Sequence, residues 1–397
     1  MPWKETCAME ERVKFIKEYR SCHFSVAELC RRYGISRKTG YKWITRAEQG
    51  GRKALSDLSR APHHHPHAIS EEMVELILEL RGEHPSWGPK KIMRILQQRH
   101  GDLKLPCISS IGAIISRNGL SVPRRRRRRC EPSSQPFAEC SEPNQIWCAD
   151  FKGWFKTGDG RRVDPLTITD AASRYIIRCQ AMSSVSLESV QRLFEASFRE
   201  YGLPLFIRTD NGRPFSSHGI GGLTRLSAWW ISLGIIPERI EPGKPYQNGR
   251  HERMHLTLKQ ETAKPPARSL RAQQRSFDRF VYEFNHDRPH ESLGQETPAS
   301  VYEFSSRRYP DRLPTVEYPD SMVRRKIQSS GEFYWRGHKI FLTEALGGQE
   351  VGLEPIDDRY FEIYFATVPV GVFDSKRLMA MRRKKEMLTN HAPRSSK

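Results

Sequence analysis

The spacing of hydrophobic and polar residues changes twice along the chain. Between about residues 10 and 120, apolar residues recur every three to four positions, which is typical of amphipathic helices. From 144 to about 265, short apolar runs alternate with helical patterns, and after about 331 only short strand-like runs remain. This order predicts an all-α N-terminal region, a mixed α/β core and a small C-terminal β-barrel over 325–380.

The stretch SVAELCRRYGISRKTGYKWI, residues 25–44, predicts two helices joined by a sharp turn. Ser25 and Glu28 have the spacing of a capping box, and Ser36 can cap the following helix. Gly34 lies between the two helices and permits the turn. A helix-turn-helix domain is therefore expected over 1–60, with an ordinary helical hairpin as the alternative.

The second helix of this pair is basic, which favours DNA binding over a plain hairpin. Tyr41 and Ile44 are expected to pack inward. The residues expected to face DNA are Arg37, Lys38 and Lys42.

A second helical region is expected over 68–122. Pro89 stands near a predicted helix start, Ser109 can cap another helix, and Asn118-Gly119 can end it. The region fits a second helix-turn-helix-like DNA-binding domain and, almost equally, a small packing domain. Base-specific contact is less expected here than in the first domain.

Basic residues are concentrated in a few segments of a chain whose net charge is +20. Such an excess points to a polyanionic partner. An Arg-rich linker spans 123–143, and a basic tail follows the barrel at 381–397. The linker arginines expected to contact phosphates are Arg124, Arg125, Arg126, Arg127, Arg128 and Arg129.

The cysteines and histidines give no sign of a structural metal site. The eight cysteines are scattered without a C-x-x-C pair, which favours reduced thiols over a zinc module or a disulfide framework. HHHPH at 63–67 reads as linker, because a Pro-broken run is poorly suited to tetrahedral ligation. No apolar run has the ~18 residues of a membrane span, and no signal-peptide core is visible. A cytoplasmic, nucleoid-associated bacterial protein without membrane contact is expected.

Three acids stand in positions where the backbone would hold a ligand rigidly. Asp150 lies within an apolar strand, Asp210 ends another, and Glu252 lies in the first turn of a helix. Singly, each would more often be a turn, capping or helix-dipole residue. Together they suit Mg²⁺, because converging carboxylates repel one another unless a hard cation compensates.

The neighbours of these acids are interpreted as follows. The cationic residues around Glu252 are expected to face phosphates, and they are Arg250, His251, Arg253 and His255. Lys259, seven positions after Glu252, shares its helix face and is expected to contact DNA, with a solvated lysine as the alternative. Asp170 is interpreted as a capping residue or a partner of Arg174, and Glu261 as lying on another face.

Four sequence blocks carry a family resemblance. They are WCADFKG, IRTDNG, KPYQNGRHERMHLTLK and FNHDRPHESLGQETPA. The first three resemble the catalytic blocks of D-D-E insertion-sequence transposases, relatives of retroviral integrases, and the fourth resembles the motif that follows the core in that family. The similarity runs across most of the chain, and the N-terminal helix-turn-helix also fits.

The resemblance implies a ribonuclease-H-like integrase catalytic core over 144–305 with Asp150, Asp210 and Glu252 as catalytic and metal-binding residues. It implies two Mg²⁺ ions per site, replaceable by Mn²⁺, with phosphodiester hydrolysis followed by strand transfer. The expected partners are double-stranded DNA at the element ends and in the target, and further copies of the chain. Further DNA contacts are expected from Lys244, Asn248 and Arg250.

The sequence departs from the family pattern in one respect. Between Asp210 and Glu252 lie 41 residues, more than the spacing common in the family. The loop SSHGIGGLTR, residues 216–225, is expected to hold the surplus without disturbing the helix that carries Glu252. The alternative functions are a non-catalytic DNA-binding regulator with a decayed core and a simple nuclease that cuts without joining.

Overall fold

The computed structural model describes residues 7–59, 68–121, 140–217, 219–240 and 249–382, apart from the side chain of Arg250. The predicted HHHPH linker and the arginines at 124–129 lie outside these ranges, as do Lys244, Asn248 and nearly all of the basic tail. The chain divides into two compact units, Met1–Ser70 and Glu71–Lys397.

The first unit consists of three helices and a short 3₁₀ turn. Its elements are α1 (Ala8–Arg20), α2 (Val26–Arg32), α3 (Arg37–Gly50) and the turn Gly51–Leu55. The capping box of Ser25 and Glu28 is present, and the Ser36 side chain caps α3 through the backbone N–H of Thr39. Gly34 adopts a φ of 64° between α2 and α3. The local signals for this helix-turn-helix are therefore confirmed.

The inward face of α3 differs from the expectation at one position. Ile44 is buried as predicted, but Tyr41 is 57% exposed and that prediction is wrong. Trp43 fills the core instead, together with Leu29 and Phe15. A side chain at Gly40 would collide with the thiol of Cys30, so α2 and α3 approach closely there and the inward stripe runs through Gly40, Trp43 and Ile44.

The second unit opens with three helices, α4 (Glu71–Glu83), α5 (Pro89–Arg99) and α6 (Ile108–Arg117). Pro89 is the first residue of α5, and Asn118 ends α6, as the sequence indicated. The cap predicted at Ser109 is wrong, because α6 begins at Ile108 and its N-cap residue is Cys107. Apolar residues facing inward are fully buried, including Ile77, Ile92, Leu96 and Ile111.

The catalytic-core region is built on a mixed six-stranded sheet. Its strands are β1 (Ile146–Phe151), β2 (Phe155–Lys156), β3 (Arg162–Asp170), β4 (Ile176–Met182), β5 (Phe206–Thr209) and β6 (Ile236–Arg239). Strands β2, β3, β1, β5 and β6 follow one another across the sheet, and β4 also pairs with β3. The β1–β3 and β3–β4 pairs are antiparallel, whereas β1–β5 and β5–β6 are parallel. This is the mixed α/β sheet that the alternating patterns predicted.

Helices cover both faces of this sheet. They are α7 (Leu187–Tyr201), α8 (Arg225–Ser232), α9 (Gly249–Thr262) and α10 (Leu270–Tyr282). Phe194 and Phe198 of α7 and Trp230 of α8 pack with β1 residues such as Trp147 on one side. On the other side, Leu258 of α9 packs in a separate cluster with β3 and β4 residues. After α10, a π-helical turn at Glu283–Asp287, a 3₁₀ turn at Glu291–Leu293 and the short α11 (Pro298–Val301) lead out of the core.

The C-terminal region is not the closed barrel that the sequence predicted. Its strands are β7 (Val323–Lys326), β8 (Glu332–Trp335), β9 (His338–Phe341), β10 (Glu350–Pro355), β11 (Tyr360–Phe365), β12 (Val368–Asp374) and β13 (Met379–Met381). Within the described part of the chain they form a five-stranded antiparallel sheet, in the order β13-β12-β11-β10-β7, and a separate β8–β9 hairpin. Arg336 and Gly337 form the turn between β8 and β9, and both have positive φ.

The surplus loop between Asp210 and Glu252 packs against this C-terminal sheet. It contains a 3₁₀ turn at Ile220–Gly222. A Cβ at Gly221 would lie 2.8 Å from the backbone oxygen of Val370 in β12. Leu223 shares a hydrophobic core with Phe373 and other residues of the C-terminal strands. The extra residues thus attach the C-terminal sheet to the catalytic core.

Candidate active site at the ends of strands β1 and β5

Two of the predicted acids leave neighbouring strands at the same edge of the sheet. In the parallel β1–β5 pair, Ala149 lies opposite Thr209. Asp150 and Asp210 are the next residues on the two chains. Because adjacent strands lie about 4.8 Å apart, this register places the two carboxylates side by side.

A tight turn holds Asp210 after its strand. The backbone N–H of Gly212 donates to Asp210 Oδ1 at 3.0 Å, and the side-chain amide of Asn211 donates to the carbonyl of Ile240 at 2.7 Å. A Cβ at Gly212 would stand 2.9 Å from Asp210 Oδ2. The glycine of the sequence TDNG therefore leaves room for the carboxylate.

The third acid completes an electrostatic cluster. Glu252 lies in the first turn of α9 and is exposed. The pKa of Asp150 is raised to about 7, first by burial and then by the negative charge of Asp210, with a smaller increase from Glu252. The charges of both other acids therefore act on the Asp150 carboxylate. Three ionised carboxylates at this site need a compensating cation.

Two lysines flank the acids. The pKa of Lys152 is lowered, first by burial and then by the positive charge of Lys259, while Asp150 and Glu252 oppose this shift. Lys259 is exposed, and its charge acts on Lys152. Sequence reasoning missed Lys152, although it stands only two residues after Asp150.

Trp154, four positions after Asp150, is an exposed aromatic residue that sequence reasoning missed. Its side chain is 57% exposed between β1 and β2, and the Arg162 guanidinium carbon lies 5.2 Å from its ring centroid. The preceding Gly153 has a φ of 84°, which interrupts the strand and lets Trp154 project outward. The sequence signal that could have indicated an outward-facing Trp154 was the glycine directly before it.

The prediction that both histidines beside Glu252 face phosphates is wrong. His251 and His255 are only 3% and 4% exposed, on the inward face of α9. Burial lowers the pKa of His251 to about 3, and burial together with His251 lowers the pKa of His255. Both rings are therefore neutral, whereas Arg253 remains exposed.

The two histidines contact β3. Thr167 Oγ1 lies 2.7 Å from His251 Nε2 and 2.6 Å from His255 Nε2, and Thr169 Oγ1 lies 2.9 Å from His251 Nδ1. His255 Nδ1 lies 3.6 Å from Asp150 Oδ2. The four-residue spacing of the histidines, with Met254 and Leu258 on the same inward side, was the sequence signal for this face.

The donor atoms fit a hard divalent cation. Asp150, His251 and His255 offer possible ligand atoms within 4.8 Å of one another. However, both ring nitrogens of His251 and one of His255 already face threonine hydroxyls. The atoms left for a cation are chiefly carboxylate oxygens, which Mg²⁺ prefers over nitrogen.

The other acids have structural partners. The Asp170 carboxylate accepts from the backbone N–H of Asn144 at 2.8 Å and from both the backbone N–H and the hydroxyl of Ser173. These contacts agree with the capping role expected for it. Glu261 accepts from Arg288 at 3.0 Å and from Ser86 at 2.7 Å, away from the acidic cluster.

The predicted DNA-contacting residues are divided between the two units. Arg37, Lys38 and Lys42 are exposed along α3 in the first unit. Lys259 is exposed on α9 in the second. The remaining predicted contacts lie outside the described residues, including the side chain of Arg250.

Family models match both the core and the N-terminal region. Two models described as Integrase core domain match residues 141–245 and 233–298. A model described as Helix-turn-helix domain matches residues 11–63, and one described as Homeodomain-like domain matches residues 39–115. The integrase matches cover β1, β5 and the start of α9, and so include all three acids.

Relatives are found among proteins of insertion elements. The chain is 26% identical over 258 residues to the "Insertion element IS407 uncharacterized 31.7 kDa protein" of Burkholderia multivorans, covering 62% of this chain and 87% of that one. It is 29% identical over 229 residues to the "Insertion element IS476 uncharacterized 39.2 kDa protein" of Xanthomonas euvesicatoria, covering 55% of this chain and 57% of that one.

Among solved structures, similarity is found to retroviral integrases. The magnesium-bound catalytic core domain of HTLV-2 integrase, in its trimeric form, is 19% identical and covers 41% of this chain and 98% of that one, with a TM-score of 0.32. A simian T-cell lymphotropic virus intasome in complex with PP2A regulatory subunit B56 gamma is 16% identical and covers 74% of this chain and 97% of that one, with a TM-score of 0.36. The family models and the sequence relatives agree with the resemblance that the motifs indicated: this chain is similar to proteins of insertion elements, and it matches models of the integrase core and of helix-turn-helix domains.

Proposed function

We propose that this protein is a DNA transposase that binds the ends of a mobile element, cuts there and joins the ends to target DNA. The observation that carries the proposal is the convergence of acids at one sheet edge. Asp150 and Asp210 leave the paired strands β1 and β5 together, and Glu252 lies close enough to affect the pKa of Asp150. These three acids are proposed as the catalytic and metal-binding residues.

Mg²⁺ is the proposed cofactor, with two ions per site and Mn²⁺ as an expected substitute. When bound, such a pair activates the attacking oxygen and stabilises the leaving oxygen of a phosphodiester. By analogy with the family that the motifs resemble, Asp150 would be the ligand shared by the two ions. Asp210 and Glu252 are each proposed to complete one metal site.

The cations around the acids would hold the DNA. Lys152 and Lys259 stand beside the carboxylates, where they can bind the phosphates that flank the reacting one. The exposed Arg37, Lys38 and Lys42 on α3 are proposed to recognise the element end in the major groove. Holding two ends at once would require more than one copy of the chain, so we propose a homo-oligomer on DNA.

Replacing Asp150 tests the catalytic assignment. Asp150→Asn should abolish cleavage and joining of labelled element ends in Mg²⁺ while leaving end binding largely intact, because the amide keeps the shape but loses the charge. Cleavage would be followed on denaturing gels and binding by mobility shift. If Asp150→Asn still joined ends, the acid assignment would be wrong.

The same assay separates the alternatives. A wild-type protein that cuts labelled ends but never joins them would be a nuclease of this fold. A protein that binds the ends without cutting in Mg²⁺ or Mn²⁺ would be a regulator. Asp164→Asn provides a matched control, because Asp164 is also on the central sheet but is paired with Arg162 at 2.7 Å.

A further inference from the structure

A buried series of polar side chains leads from β3 to the Asp150 carboxylate. Thr169 contacts His251 at 2.9 Å, His251 contacts Thr167 at 2.7 Å, and Thr167 contacts His255 at 2.6 Å. His255 then faces Asp150 at 3.6 Å. The two threonines and two histidines are each 7% exposed or less. Four buried polar side chains in one series need mutual hydrogen bonds, because water cannot supply them.

The Thr167 hydroxyl is the point where the series branches. It has one proton to donate and two lone pairs with which to accept. It lies 2.7 Å from His251 Nε2 and 2.6 Å from His255 Nε2, so it joins both histidines of α9 to β3. Removing this hydroxyl therefore removes the contacts to both histidines at once.

The same hydroxyl also contacts β1, because Thr167 Oγ1 donates to the backbone oxygen of Asp150 at 3.2 Å. At the other end of the series, Thr169 Oγ1 and His251 Nδ1 lie 2.9 Å apart. The series therefore joins β1, β3 and α9 directly behind the Asp150 side chain.

We propose that Thr169, His251, Thr167 and His255 form a hydrogen-bonded chain that positions the Asp150 carboxylate for metal binding. The inference rests on the proposed function, because it assigns these four residues to the metal site of that activity. With His255 packed against Asp150 Oδ2 and Thr167 bonded to the Asp150 backbone oxygen, the chain would fix the orientation of the carboxylate. Partners of a ligating carboxylate commonly fix its orientation in this way.

The same chain would also set the position of Glu252. The histidines lie one turn apart on α9, and both are held by Thr167 on β3. Glu252 follows His251 directly and so projects from the helix at a fixed angle to the inward face. A shift of α9 along β3 would therefore disturb two proposed metal ligands at once, and the threonine in the middle of the chain is the most sensitive position.

The test compares two substitutions at Thr167. Thr167→Val keeps the shape and removes the hydroxyl, which breaks the chain at its centre, whereas Thr167→Ser keeps the hydroxyl. Thr262→Val is the matched control. Thr262 is also buried, and its hydroxyl donates to the Leu258 carbonyl at 2.7 Å within α9, away from the acids. Thermal unfolding of each variant checks that it is folded.

The main measurement is the affinity of the full-length protein for Mn²⁺, followed by electron paramagnetic resonance without DNA. Thr167→Val should weaken the Asp150-dependent binding by about tenfold or more. Thr167→Ser should restore it to about twofold of wild type, and Thr262→Val should leave it unchanged. In strand-transfer assays, Thr167→Val should lower kcat and raise the Mg²⁺ concentration needed for half-maximal rate.

The results distinguish the inference from the proposed function. Equal Mn²⁺ affinity in Thr167→Val and wild type would overturn the hydrogen-bond chain and leave the transposase proposal standing. An equal loss in Thr167→Val and Thr167→Ser would also overturn it, because the hydroxyl would then be irrelevant. Hydroxyl-dependent Mn²⁺ binding without any cutting or joining would instead refute the transposase proposal.

Discussion

At the scale of single residues, the sequence located the acids well and the histidines poorly. Asp150 lies within an apolar run and Asp210 directly follows another, so their places in and after strands could be inferred from local pattern alone. Whether His251 and His255 face DNA or the interior depends on how α9 packs against β3. That packing involves residues more than 80 positions apart, so the local basic pattern was misleading.

The raised pKa of Asp150 leads to a stability prediction for the metal-free protein. Folding favours the protonated form of this acid. Its contribution to the free energy of unfolding is therefore fully present below its ordinary pKa of 3.8 and is lost as the pH rises through about 7. Asp150→Asn should therefore be more stable than wild type above pH 7 in EDTA, by roughly 1–3 kcal/mol.

Thermal and denaturant unfolding across this pH range would measure the effect. The advantage of Asp150→Asn should shrink towards pH 4, where the wild-type acid is protonated. Added Mg²⁺ should stabilise wild type and not the variant. A variant less stable than wild type throughout the range would show that burial of the charge is not costly.

At the scale of elements, the predictions made from short-range signals were confirmed, whereas the predicted closure of the C-terminal strands into a barrel was not. Capping at Ser25 and Ser36 and the Arg-Gly hairpin turn are local, and the structure contains all of them. Strand patterns alone do not say whether a sheet closes, because closure depends on pairing between distant strands. The packing of the loop at 216–225 against β12 could not be inferred without the fold.

The basic face of α5 was another pattern that only the structure could interpret. Lys90 pairs with Glu291, Lys91 donates to the carbonyl of Pro289, and Arg94 pairs with Glu296 at 2.5 Å. These three cations therefore bind the segment that follows α10. This favours the packing role that the sequence left open for α4–α6, although the Homeodomain-like match also covers them.

Lys91 provides a test of this packing. Its pKa is lowered to about 7, first by burial and then by Arg288 and Arg253. Below that pH the buried charge is unfavourable, and stability should rise as pH increases from about 7 towards the ordinary value of 10.5, because the folded state binds fewer protons. Lys91→Met should thus raise Tm by about 1–3 °C below pH 7.

This gain should disappear near pH 10.5, where the wild-type lysine is neutral when folded. Lys90→Met is the control, because it removes an exposed ion pair that contributes little at any pH. Scanning calorimetry of both variants at the two extremes would show the difference. A pH-independent gain in Lys91→Met would mean that shape, and not charge, decides the effect.

At the scale of the whole molecule, the order of the helical, mixed α/β and strand-rich regions was predictable, because apolar residues recur at a different spacing in each region. The first unit has a core of its own, which includes Leu29 and Trp43. None of the helices in the described ranges has the length and apolar character needed to cross a membrane. The charge of +20 is distributed over both units, so general DNA affinity should not depend on one unit alone.

That distribution leads to a prediction about recognition. Deleting residues 1–60 removes α1–α3 with their exposed Arg37, Lys38 and Lys42, and leaves the acidic cluster and most of the basic residues in place. Phosphate contacts are blind to sequence, whereas a helix in the major groove reads base edges. The deletion should therefore weaken binding to element ends by about tenfold or more and binding to random duplex by only about two- to threefold.

Binding of both duplexes must be measured at several salt concentrations, because each lost phosphate contact lowers the salt dependence by about one. A full-length variant with Arg37→Ala, Lys38→Ala and Lys42→Ala serves as the matched comparison, since it keeps the first unit folded around its buried Trp43. If these side chains recognise the base sequence of the element end, this variant should lose most of the discrimination between the two duplexes that the deletion loses. An equal loss on both duplexes would mean that α3 supplies charge alone, and that recognition of the element end must be sought in the second unit.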